Sequence, residues 1–164
     1  KRPVSLRRPG RCCQTNLSVS PPGAVDGSHY ALWPPSQAKY VTALAGVFLD
    51  FTVDIRVGSP TFGQWDCVRL DTTDRRAVYL SEGLGHALAC IEDGTAMYLC
   101  SETHNPSVEK GITPVDPTIA LALPEGFAPI LSEKDSTPPT LEEARVAGLL
   151  PDYDACLAFR RTLA

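Results

Sequence analysis

The chain has 164 residues and a formal net charge of -4, enough for one domain with a buried core and the wrong charge for an electrostatic binder of nucleic acid. No stretch has the length and apolarity of a membrane span, and the N-terminus lacks the apolar core of a signal peptide, so a cytoplasmic protein without membrane attachment is expected. Six cysteines, at 12, 13, 67, 90, 100 and 156, include no C-x-x-C pair and no Cys/His grouping at zinc spacing; they read as reduced thiols.

Residues 1–13 (KRPVSLRRPGRCC) are basic, contain proline and lack periodicity, and read as a loose arm whose Arg7, Arg8 and Arg11 can reach a partner's phosphate. From Gln14 the pattern is strand-like. Residues 41–44 and 47–55 are rich in Val, Phe, Thr and Ile with near alternation, and Gly46 between them predicts a turn. Gly58-Ser59-Pro60 ends the second run. Alternation returns at residues 64–70, 77–80, 87–91 and 96–101, with turns expected at Asp71-Thr72-Thr73-Asp74 and Glu92-Asp93-Gly94. Many short strands at even spacing predict an all-β sandwich or barrel. After a Pro-rich stretch, residues 140–149 read as a helix that Thr140 caps and Glu143 completes as a capping box. Residues 152–163 read as a second short helix. The expected organisation is an arm over 1–13, a β domain over 14–139 and a helical segment over 140–164 packed on it.

Three runs carry chemistry: Asp26-Gly27-Ser28-His29-Tyr30, the DIRVGSPTFG run from Asp54 to Gly63, and Ser81-Glu82-Gly83-Leu84-Gly85-His86. Together, across residues 14–150, they resemble the dTDP-4-dehydrorhamnose 3,5-epimerase family, whose members invert carbons next to the ketone of a nucleotide-linked 4-keto-6-deoxy sugar. The resemblance implies a cupin-like jelly-roll barrel with short C-terminal helices. It implies a homodimer in which a strand or arm of one subunit completes the partner's pocket. It also implies a dTDP-linked 4-keto-6-deoxy sugar as ligand and a cytoplasmic place in deoxysugar biosynthesis, for an antibiotic or for rhamnose. No metal and no cofactor are implied, because the substrate's own ketone acidifies the neighbouring C–H.

That chemistry needs a base on one face, a partner for the enolate oxygen and an acid on the other face. By resemblance His29 is the base, Lys39 stands at the enolate oxygen and Tyr98 is the acid. Asp135, in Ser132-Glu133-Lys134-Asp135, orients the base. Asp116 and Asp50 are rival carboxylates, Asp50 as a salt-bridge partner of Lys39. Gln14, Asn16, His86, His104, Glu109 and Lys134 fall at substrate-binding positions.

Several positions depart from the pattern. Asp26 stands where the family has an arginine, a reversal of charge unfavourable to a diphosphate at close range. His104 stands for a tyrosine, and His86-Ala87-Leu88 for H-G-F. The family's first strands, with an Arg and a Phe that hold the nucleotide, have no counterpart in residues 1–13, which reads as a truncated or altered start. The alternative is therefore a catalytically impaired sugar-nucleotide-binding barrel. A metal-dependent cupin is a third reading, but the three histidines form no H-x-H.

Overall fold

The computed structural model describes residues 12–32 and 36–162. The arm residues Arg7, Arg8 and Arg11, and Leu163 of the expected last helix, lie outside the described residues. In chain order the elements are β1 (Gln14–Ser20), β2 (Ala24–Ala31), β3 (Lys39–Asp54), β4 (Trp65–Asp71), β5 (Ala77–Leu80), β6 (Leu84–Cys100), β7 (Glu109–Gly111) and β8 (Ile130–Leu131), then α1 (Glu133–Ser136), α2 (Leu141–Val146) and α3 (Tyr153–Thr162). The eight strands form one sheet, antiparallel except where β8 joins β2. This is the expected all-β, cupin-like architecture with short C-terminal helices. No helix among the described residues is long and apolar enough to cross a membrane.

The spine is the antiparallel pair β3–β6, and both strands are far longer than expected. Residues 41–44 and 47–54 belong to one strand, and so do residues 87–91 and 96–100; Ile55 and Ser101 fall just past the strand ends. The turns expected at Gly46 and at Glu92-Asp93-Gly94 are instead opposed irregularities within the ladder, where register shifts between Ala43 and Phe48. Gly46 has φ +72°, and a Cβ there would lie 2.4 Å from the Asp93 carbonyl oxygen. A Cβ at Gly94 would lie 2.5 Å from the Ala45 carbonyl oxygen and 2.8 Å from the Phe48 ring. The two glycines let the backbones cross closely and bend, the usual meaning of glycine inside a strand.

The bend divides the spine into two flanked halves. The first part of β3 pairs with β5 and the last part of β6 with β1. The last part of β3 pairs with β4 and the first part of β6 with β2, which in turn carries β7 and β8. Side chains from both halves line a single cavity, so the bent sheet curls around it.

Apolar side chains seal the remaining faces. Val41, Phe48, Leu70 and Cys90 are fully buried under one half. Val53, Ile55, Ile112 and Leu141 pack the helices onto the other, where Phe51 meets Trp65 edge to face at 5.6 Å. α2 starts as expected: Thr140 Oγ1 accepts from Glu143 N–H, and Glu143 Oε2 accepts from Thr140 N–H. It stops at Val146, short of Leu149, because Ala147 caps it and Gly148 takes φ +67°.

Candidate active site

The cavity measures about 370 Å³, within the range of small-molecule sites. Its walls follow from strand alternation. On β1, Gln14 and Asn16 point inward while Thr15, Leu17 and Val19 point out. On β2, His29 and Asp26 face the cavity; on β3, Lys39; on β6, His86 and Tyr98. His104, Glu109 and Lys134 close the rim. Nine of the ten side chains expected at the site thus line one cavity, and the tenth, Asp135, sits behind His29.

His29 is placed by a tight approach of β2 to β6. Gly27 takes φ +122°, and a Cβ there would meet the His86 carbonyl oxygen at 2.4 Å. The register shift between Asp26 and His29 follows. His29 Nε2 lies 2.6 Å from Asp135 Oδ1, a charge-assisted length. Asp135 is buried, and its other oxygen accepts from Ser132 Oγ at 2.6 Å. Ser132 also caps α1, accepting from Asp135 N–H. Burial pushes the Asp135 carboxyl up, but the hydrogen bonds from His29 and Ser132 outweigh it and hold the group below the usual carboxylate range.

The rival acids have other work. Asp116 accepts from Leu141 N–H at 2.7 Å and from Thr118 Oγ1 at 2.6 Å, tying a loop to the start of α2. Asp50 does not pair with Lys39 as expected. Its Oδ2 accepts from His86 Nε2 at 2.9 Å, as a diagonal pair across β3 and β6 where Asp50 faces Leu88 and Thr52 faces His86. A fully buried aspartate in the apolar run Val47-Phe48-Leu49-Asp50-Phe51 is a signal that a partner exists, although not which one.

Lys39 stands diagonal to Tyr98 across β3 and β6, its Nζ 5.9 Å from the ring centroid. Burial first, then the charge of Asp26, pushes the Tyr98 phenol up to about 12. It is a protonated donor at neutral pH. At the rim Glu109 meets His104 Nδ1 at 2.8 Å and Lys134 Nζ at 3.8 Å. Gln14 accepts from His104 N–H at 2.7 Å and donates to Asn16 at 2.7 Å. Gln37 and Cys100 also line the cavity, and sequence reasoning gave them no role. Ser132, too, entered only as part of a motif; its capping position one turn before Asp135 was the available signal.

Asp26, His29 and Asp135 bring three ligand-type atoms within 4.8 Å. His29 spends one nitrogen on each carboxylate, Nε2 on Asp135 and Nδ1 near Asp26 at 3.5 Å. The imidazole is thus bracketed by two carboxylates. Chemically, the cavity holds a histidine oriented by a carboxylate, a half-buried protonated phenol and an ammonium group beside it.

A family model described as dTDP-4-dehydrorhamnose 3,5-epimerase matches residues 4–143. A dTDP-4-dehydrorhamnose 3,5-epimerase of Mycolicibacterium smegmatis is 53% identical over 92% of this chain and 74% of its own length. A dTDP-4-dehydrorhamnose 3-epimerase of Streptomyces niveus is 51% identical over 94% of this chain and 74% of its own. Among solved structures, ChmJ, a 3'-monoepimerase from Streptomyces bikiniensis in complex with dTDP-quinovose, superposes with a TM-score of 0.90 at 43% identity, covering 92% of this chain and 77% of that one.

Proposed function

The chain belongs to the dTDP-4-dehydrorhamnose 3,5-epimerase family, and from that premise we propose that it is an isomerase inverting C3, C5 or both of a dTDP-linked 4-keto-6-deoxyhexose. The observation that carries the reading is the His29–Asp135 pair opening into the same cavity as Tyr98 and Lys39.

Asp135 holds the Nε2–H of His29, which leaves Nδ1 as the basic nitrogen and stabilises the imidazolium that forms. Nδ1 takes the proton from the carbon beside the C4 ketone. The electrons move onto the ketone oxygen, and the Lys39 ammonium stabilises the developing enolate. Tyr98, held protonated by burial, delivers a proton to the carbon from the other face. His86, oriented by Asp50, and the rim groups Gln14, Asn16, His104, Glu109 and Lys134 bind the remainder of the substrate. The ketone supplies the acidity, so the steps need no metal and no cofactor.

The family includes both two-centre and one-centre enzymes among the relatives above. Proton NMR of dTDP-4-keto-6-deoxyglucose with the protein in deuterated water tests the reading. Deuterium at C3, C5 or both is expected, with the label lost in His29→Ala. No exchange at either carbon in folded protein would leave a sugar-nucleotide-binding barrel without turnover.

A homodimer accompanies this reading. The outer face of β1, β3 and β5 exposes Leu17 (63%), Val19 (78%) and Leu44 (48%) beside Tyr40 and Tyr79. Tyr40 pairs directly with Tyr79, and Leu17 reaches the same rows of β3 through Met97 of β6, an apolar surface of the kind that a second copy covers. Sedimentation of the wild type as a dimer, and of a Leu17→Lys/Leu44→Lys variant as a monomer, is the expected outcome. The place of action is the cytoplasm, which the absence of any disulfide among the six cysteines fits.

A further inference from the structure

Asp26 is the one charged side chain of the cavity to which the scheme above gives no task. Its Oδ1 lies 3.5 Å from His29 Nδ1, the nitrogen that takes the substrate proton. The two carboxylates that bracket the imidazole differ in their access to water. Asp135 has a side-chain exposure of 5% and is fixed by Ser132, whereas Asp26 has 47%. Asp26 also reaches across the cavity: its charge is, after burial, the largest influence on the Tyr98 phenol.

A base on one face and an acid on the other leave a proton debt after every inversion. His29 ends as an imidazolium carrying the substrate's proton, and Tyr98 ends as a phenolate. One proton must pass from His29 to Tyr98 before the next turnover. Asp135 cannot carry it, because it is buried and its second oxygen is occupied.

We propose that Asp26 is the proton-return group that resets the pair. The imidazolium gives its Nδ1 proton to the Asp26 carboxylate, leaving neutral His29 and a carboxylic acid. Asp26, open to water, passes that proton through water to the Tyr98 phenolate, which restores the phenol and the carboxylate with no net change in protons. At the Tyr98 end the charge favours this direction, since the nearby Asp26 anion disfavours the phenolate until the return is complete. At 3.5 Å a small rotation of the exposed side chain brings Asp26 to hydrogen-bond distance.

The inference rests on the epimerase reading, and its test separates the two. Wild type, Asp26→Asn and Asp26→Ala are compared with dTDP-4-keto-6-deoxyglucose in deuterated water, once with enzyme in excess over substrate and once in steady state. In low buffer both variants should show a burst of one labelled carbon per site. Slow turnover follows, with kcat down roughly tenfold or more, the scale of a lost positioned proton carrier. Small carriers such as imidazole or formate should restore kcat in proportion to their concentration, which a displaced or distorted site would not show. Steady-state rates equal to wild type in low buffer would overturn the role of Asp26. First turnover and steady state falling together, without response to buffer, would overturn it as well and assign Asp26 to the chemical step or to packing. Wild type that incorporates no deuterium would sink the epimerase reading itself, and this inference with it.

Discussion

Replacing Asp135 by Asn should cost far more activity than its size suggests, through the tautomer of one ring. In the native pair Asp135 Oδ1 accepts the Nε2–H of His29 at 2.6 Å while Ser132 Oγ donates to Oδ2 at 2.6 Å. An asparagine keeps the Ser132 contact on its carbonyl oxygen and turns its amide N–H toward Nε2. Nε2 then becomes an acceptor, and the ring proton moves to Nδ1, the nitrogen that in the proposed scheme must be empty to take the substrate proton. The same exchange behind a catalytic histidine costs about 10⁴ in kcat in serine proteases. With Lys39 and Tyr98 intact here, the loss should be roughly 10³–10⁴, or about 4–5.5 kcal/mol at about 1.4 kcal/mol per decade. Folding should suffer by only about 1–2 kcal/mol, the value of one charge-assisted hydrogen bond. Asp135→Ala provides the ordering that isolates the cause. It deletes more atoms but lets the ring choose its tautomer, so it should retain more activity than Asn. The assay is deuterium wash-in at C3 and C5, with dTDP affinity measured alongside as a check on pocket integrity. Asn activity within a factor of ten of wild type, or Asn more active than Ala, would refute the tautomer argument.

Tyr98→Phe should still exchange deuterium from the His29 face while forming little inverted product, because abstraction and delivery are separate steps; coupled NMR of label and configuration distinguishes this from a dead variant. Asp54, held by Arg56 through two bonds of 2.8 Å and by Ser59 and Thr61 at 2.6 Å each, has a carboxyl far below its ordinary range. Burial pushes it up, and those donors more than reverse the effect. A carboxyl lowered by folding stabilises above its unfolded pKa and loses that contribution as pH falls. Chemical denaturation should therefore show stability dropping below about pH 4, by up to about 1.4 kcal/mol per pH unit from this group. Asp54→Asn should flatten that acid limb and lower the stability at pH 7. Gly46→Ala forces a side chain into φ +72° and against the Asp93 carbonyl. It should cost about 2 kcal/mol or more, a fall in Tm of roughly 4–8 °C; an unchanged Tm would show that the bend has room.

The strands β4 and β5 were legible because alternation is a local property, and β5 falls at residues 77–80 as read. The Thr140 capping box was legible for the same reason, since its partners are three residues apart. Gly46 and Gly94 misled because a glycine reads alike at a turn and at a close crossing. What separates the two is the strand opposite, which lies 48 residues away between those glycines and is seen only when β3 and β6 pair. β7, β8 and α1, inside a Pro-rich stretch, are too short to show a period.

By itself the sequence determined the all-β class, the start of α2 and, through the resemblance, nine polar side chains that line one cavity. The resemblance named Asp135 as the partner of His29, but it did not show what Asp50 and Asp116 do instead. Asp50, Asp116 and Asp135 offer the same functional group, and only the match of Ser132 to Asp135 to a family motif put Asp135 first. Only the tertiary structure gives all three their partners: Asp135 reaches His29 across 106 residues, Asp50 reaches His86 across 36, and Asp116 turns away to hold α2. The physical reason is that side-chain direction follows from nearest neighbours along a strand, whereas a hydrogen bond at 2.6 Å requires two distant backbones placed to a fraction of that length. Here the bend at Gly46 and Gly94 and the close approach at Gly27 set that placement.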